Sequence, residues 1–64
     1  MKDEEIVERA AAWADHDHGL SEEQRSAVYA GAIALQKLVN DESYNGFELE
    51  LANLLRLVIT KRYP

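Results

Sequence analysis

Apolar residues recur along this chain at intervals of three and four, in three runs separated by short polar stretches built from Asp, His, Gly, Ser and Asn. That spacing is the mark of helices with an apolar side, and no stretch alternates residue by residue as a half-buried strand would. The pattern predicts an all-α fold in a single domain, residues 1–64. Its parts are a helical hairpin from residues 21–39 and 47–61 and an N-terminal helix over residues 3–15 that packs across it through Trp13.

The first helix carries Ile6, Val7, Ala10, Ala11, Trp13 and Ala14 on one stripe, with Glu5, Glu8, Arg9, Asp15 and His16 opposite. Asp3 stands where a cap belongs, and Asp3, Glu4 and Glu5 place negative charge at the positive end of the helix dipole. The run from Asp15 to Gly19 breaks the periodicity, and Gly19 is the natural stop. The second helix opens on Ser21-Glu22-Glu23-Gln24, the spacing of a capping box, with Leu20 placed as a hydrophobic staple. Its main stripe is Ala27, Val28, Gly31, Leu35, Leu38 and Val39. The small residues Ala27, Gly31, Ala30 and Ala34 would allow close approach of another helix. Tyr29 and Ile33 stand four apart on the otherwise polar side, where they would form a second apolar patch.

Asn45-Gly46 signals a turn. In the third helix, Phe47, Leu51, Leu54, Leu55 and Val58 form a dense stripe widened by Ala52 and Ile59, while Leu49 and Leu57 fall outside it among Glu50, Asn53 and Arg56. A flanking helix in a three-helix monomer needs one apolar stripe only, so this helix is expected to be central or packed on two sides.

Composition narrows the reading. A chain of 64 residues without cysteine has neither disulfides nor thiolate metal sites to stabilise a small core. An idealised helical core, self-association or a partner must serve instead. The N-terminus is acidic, without the basic start and apolar stretch of a signal peptide, and no apolar run approaches a membrane span. The expectation is a soluble cytoplasmic protein. Of the twelve acidic residues, eight fall within the first 23 positions, against Lys2 and Arg9. So acidic a first third argues against non-specific nucleic-acid binding.

Three constellations invite chemistry. His16 and His18, flanked by Asp15 and Asp17, are competent metal ligands, but a zinc site needs four defined ligands and no further histidine or cysteine exists. No metal and no cofactor is therefore expected. Glu4-Glu5-x-x-Glu8 resembles the acidic magnesium helices of all-α nucleotide pyrophosphohydrolases. Those carry a second carboxylate motif on a facing helix, whereas Glu22, Glu23 and Arg25 do not reproduce its spacing, so a divalent-metal-dependent hydrolase is the weakest reading. The hairpin could pass for a helix-turn-helix regulator touching DNA with Arg56, Lys61 and Arg62. A recognition helix reads bases with its N-terminal half, and here that half is Phe47-Glu48-Leu49-Glu50-Leu51. No nucleophile elbow or Gly-rich loop is present, so no catalytic residue is assigned.

What remains is surface. Tyr29, Ile33, Leu49, Leu57 and Trp13 are the candidate dimer or partner contacts, and Glu4, Glu5 and Glu8 form an acidic face suited to a basic partner. The expectation is a small acidic interaction module, an adaptor, inhibitor or antitoxin-like modulator, acting as a homodimer. By size and charge alone it is similar to phage and mobile-element accessory proteins.

Overall fold

The computed structural model describes all 64 residues and contains three helices and no strand. They are α1 (Asp3–His16), α2 (Glu22–Val39) and α3 (Gly46–Arg62). The all-α three-helix reading holds, with each boundary within a residue of its expected place.

The helix starts show why. Ser21 accepts a hydrogen bond from the Gln24 backbone at 3.1 Å while the Gln24 side chain accepts from the Ser21 N–H at 2.9 Å. α3 has the same device: Asn45 Oδ1 accepts from Glu48 N at 2.8 Å, and Glu48 Oε1 accepts from Asn45 N at 3.1 Å. Each box satisfies two N–H groups that the first turn leaves free. α1 has none. Lys2, not Asp3, occupies its cap position and offers no side-chain acceptor. Asp3 is instead the first helical residue, and its carboxylate is drawn to Arg56. Nor does Gly19 end α1. The helix stops at His16, Asp17 is its C-cap in extended conformation, and no glycine adopts positive φ. The one left-handed residue is Asp41 (φ 56°) in the α2–α3 connection, an amino acid that tolerates this region better than most.

The central element is α2, which packs extensively on both neighbours, while α1 and α3 touch each other along a thinner seam. Within one chain, then, α3 is not the central helix; of the two expected arrangements it has the other, packing against both α2 and α1. The core is small and methyl-rich: Ile6, Ala10 and Ala14 from α1, Val28, Ala32, Ala34 and Leu35 from α2, and Ala52, Leu55 and Ile59 from α3. Leu35 and Ile59 are its largest fully buried side chains. So many alanines let the helices lie close, and Gly31 closes the tightest contact. A Cβ built there would sit 3.2 Å from Leu55 Cβ, so the close approach anticipated from small residues on α2 is made by α3 within the same chain.

The periodicity misplaced the inward face of α3. Its buried row is Ala52, Leu55 and Ile59, whereas Phe47, Leu54 and Val58 of the expected stripe point outward. On α2, Ala27 is exposed and Ala32 takes a core position. Val7, Trp13, Tyr29, Leu38, Leu51 and Tyr63 pack around the core as half-buried side chains.

Candidate functional site

The outer face of α3 is the least expected surface of the molecule. Phe47 is 68% exposed, Leu54 and Leu57 58% each, and Val58 44%. At about 100° per residue these four fall within one sector of the helix, away from the Ala52–Leu55–Ile59 row. Leu51 borders the same sector half-buried. Between this sector and α2 runs an open groove of about 340 Å³ whose walls include Leu20, Val28, Gly31, Leu51, Leu54 and Val58, with an edge of Trp13 at one end. The lining is almost wholly apolar; Gln24 contributes its polar group.

The five residues expected to form one contact surface do not act together. Leu57 lies in the exposed α3 sector. Trp13 borders the groove. Leu49 is half-buried beside Glu48, outside the sector. Tyr29 and Ile33 part company, because Tyr29 packs against the core while Ile33 stands 60% exposed. The Tyr29/Ile33 patch is therefore corrected to a single exposed isoleucine. Four residues apart on a helix is a rotation of about 40°, enough to put one side chain over the edge of the core and the other in water. Conversely, Phe47, Leu54 and Val58 were assigned to the core and belong to the surface.

Next to the Trp13 border of the groove, charges are organised around the end of α1. The Asp17 carboxylate accepts from the Gly19 backbone N–H and from Trp13 Nε1, each at 2.7 Å, and from Arg62 Nη2 at 3.1 Å. Those donors, the Gly19 N–H first and the Trp13 indole next, hold its pKa below the ordinary aspartate value. Arg62 also lies over the Trp13 ring, 4.6 Å from its centroid, and Arg9 over the Tyr63 ring at 5.0 Å. Arg25 of α2 donates to Ala14 O at 2.9 Å and reaches Asp17 O and Leu20 O at 3.5 Å. It thereby covers the Ala14 carbonyl in the last turn of α1 and two carbonyls of the connection to α2. The stretch Asp15–His18 is thus a structural joint rather than only a solvated exit. His16 and His18 are exposed beside it, and no three His, Asp or Glu side chains in the molecule converge as metal ligands would.

The basic end of α3 is similarly engaged. Arg56 grips Asp3 through two hydrogen bonds, Nε to Oδ1 at 3.1 Å and Nη2 to Oδ2 at 2.9 Å, which lowers the Asp3 pKa and raises that of Arg56. Arg62 is paired with Asp17. Of the three cations considered for DNA contact, Lys61 alone has no ion pair within the chain. Neutralising phosphate with the other two would require breaking the links that hold α1 to α3. Lys37 of α2 binds Glu48 across the α2–α3 interface and, ahead of the Asn45 N–H, depresses the Glu48 pKa. Glu4, Glu5 and Glu8 remain exposed and without ion-pair partners on the outer side of α1. No helix is long and apolar enough to cross a membrane. Comparison with models of protein families, with curated proteins and with solved structures finds no match to this chain.

Proposed function

We propose that this chain is a small acidic protein–protein interaction module that binds through helix faces and self-associates, in the manner of an adaptor, inhibitor or antitoxin-like modulator. The observation that carries this reading is the outer face of α3, where Phe47, Leu54, Leu57 and Val58 are exposed side by side. Burying one such side chain contributes roughly 1.5–3 kcal/mol. A domain of this size has a total stability of only about 5 kcal/mol, so four of them held in water represent a large unused driving force for association. Scattered apolar residues on a surface are ordinary; a contiguous set beside an apolar groove is characteristic of interfaces. The acidic side of α1, with Glu4, Glu5 and Glu8, supplies a second surface of opposite character, suited to a partner with a basic patch. The reading assigns no catalytic residue, metal or cofactor.

A photo-crosslinking amino acid placed at Phe47 or at Leu57, compared with the same probe at Ser26 on the exposed side of α2, tests this directly in cells expressing the chain. Protein adducts from positions 47 and 57, to the chain itself or to another protein, with none from position 26, are the expected result. Equal labelling at all three positions, or none at any, overturns the proposal.

A further inference from the structure

The exposed side of α3 has a definite order. Along it, positions 47, 50, 54, 57 and 61 recur at alternating steps of three and four, the spacing of a seam between paired helices. Its centre is Leu54 and Leu57. Glu50 stands on one flank and Lys61 on the other, both exposed, and neither has an ion-pair partner within the chain. The other two cations of α3, Arg56 and Arg62, are both paired with aspartates of the N-terminal third. An acid and a base are thus left free on either side of the Leu54–Leu57 centre of the seam.

We propose that the occupant of this seam is α3 of a second copy of the chain, laid antiparallel about a two-fold axis between Leu54 and Leu57; the inference rests on α3 being the binding face. In a symmetric antiparallel pair, stepping forward along one helix steps backward along the other, so a single register fixes every opposition. The register that sets Glu50 against Lys61 of the other copy also sets Leu54 against Leu57, twice over by symmetry. Two independent requirements, apolar on apolar and acid on base, are met together. One turn shorter, Glu50 meets Val58 and Lys61 meets Phe47. One turn longer, Leu54 meets Lys61. Parallel pairing would stack Glu50 on Glu50 and Lys61 on Lys61. Leu51 and Val58 border the seam on its groove side, so a helix seated there also covers the α3 wall of the groove.

The test is charge exchange read by sedimentation equilibrium at low salt, with helicity followed by circular dichroism. The Glu50→Lys and Lys61→Glu chains each place two like-charged pairs across the axis, and each should weaken self-association by about tenfold or more. The double variant Glu50→Lys/Lys61→Glu, and an equimolar mixture of the two single variants, restore every attraction and should associate within a few-fold of the parent chain. A parent chain that stays monomeric, single variants that associate like the parent, or a mixture that fails to recover would each overturn the proposal. Because the chain has no cysteine, oxidation gives a second, independent readout. A mixture of Leu54→Cys and Leu57→Cys chains should form the mixed disulfide in preference to either homodimer, and a preference for homodimers rejects the register. If the parent is monomeric while the photo-probe at Leu57 still captures a different protein, the interaction module stands and the self-pairing falls.

Discussion

α1 and α3 both lean on α2 through a row of three buried residues, Ile6, Ala10 and Ala14 on one and Ala52, Leu55 and Ile59 on the other. Behind its row α1 shows Glu4, Glu5, Glu8, Arg9 and Asp15 to water, whereas α3 shows Phe47, Leu54, Leu57 and Val58. The inward requirement of the two helices is the same, so the outward leucines of α3 are not explained by the fold of one chain. α1 is a completed surface helix; α3 is a helix with a second face. Buried position and apolar character coincide in the first and separate in the second.

The sharpest way to break this comparison is to cut one residue from each face of α3. Ile59→Ala removes one of the largest fully buried side chains and should cost about 2–5 kcal/mol, enough to leave so small a domain largely unfolded in urea titrations followed by circular dichroism. Leu57→Ala, measured at concentrations too low for association, should cost less than about 1 kcal/mol. Equal losses would mean that both faces of α3 serve the same core. Next in size, Gly31→Val adds a branched side chain where a Cβ already meets Leu55 at 3.2 Å. It should destabilise by about 1–3 kcal/mol, and an unchanged melting temperature would show that α3 can ride outward freely.

The helix starts offer a smaller contrast. Asn45→Ala removes the cap of α3 and should cost about 1 kcal/mol, whereas Lys2→Ser, in an extended backbone suited to capping, should stabilise the uncapped α1 by somewhat less. A loss on Lys2→Ser would show that the cap position is not limiting. The smallest effect is on acid stability. Asp3, Asp17 and Glu48 have folded pKa values below their ordinary values of 3.8, 3.8 and 4.5. A depressed carboxylate stabilises the fold fully above its unfolded pKa and loses that contribution as pH falls through the folded value. Stability should therefore hold down to about pH 5 and decline below 4.5, first through Glu48 and then through the aspartates. Asp17→Asn should flatten the lower part of the decline, read by Trp13 fluorescence; an identical pH profile in this variant would remove Asp17 as a contributor.

Much of the fold is written in local chemistry. The three helices, the Ser21–Gln24 box and the single apolar stripe of α1 all follow from residues close in sequence, and each is where the periodicity places it. The orientation of α3 was not legible, because periodicity locates an inward face only when the remainder is polar. With apolar residues around so much of α3, the choice of Ala52 over Phe47 was made by α2, through the close approach at Gly31. The Asn45–Glu48 box was present as a spacing, but Asn45-Gly46 also reads as a turn, and the turn hid the cap. The Asp17 joint combines two nearby donors, Trp13 and Gly19, with Arg62, 45 residues away, and no local pattern announces that distant partner. Of the candidate contacts, Leu57 was correctly placed outside the core stripe, while Tyr29 could not be separated from Ile33 without knowing how α1 lies on α2.

The thin seam between α1 and α3 has a further consequence, for the order in which the molecule assembles. Its two ion pairs join residues 53 and 45 positions apart, while the broad interfaces of α2 are with its immediate neighbours in the chain. Contacts between sequence neighbours form at low loop-closure cost and dominate the folding rate of helical domains. The α1–α2 and α2–α3 pairs are therefore expected to form first, with the Asp3–Arg56 and Asp17–Arg62 clasps closing late. Interactions made after the rate-limiting step govern how slowly the native state opens, with little influence on how quickly it is reached. On that order the clasps are expected to act as a latch on the finished bundle, bearing on its lifetime more than on its speed of formation.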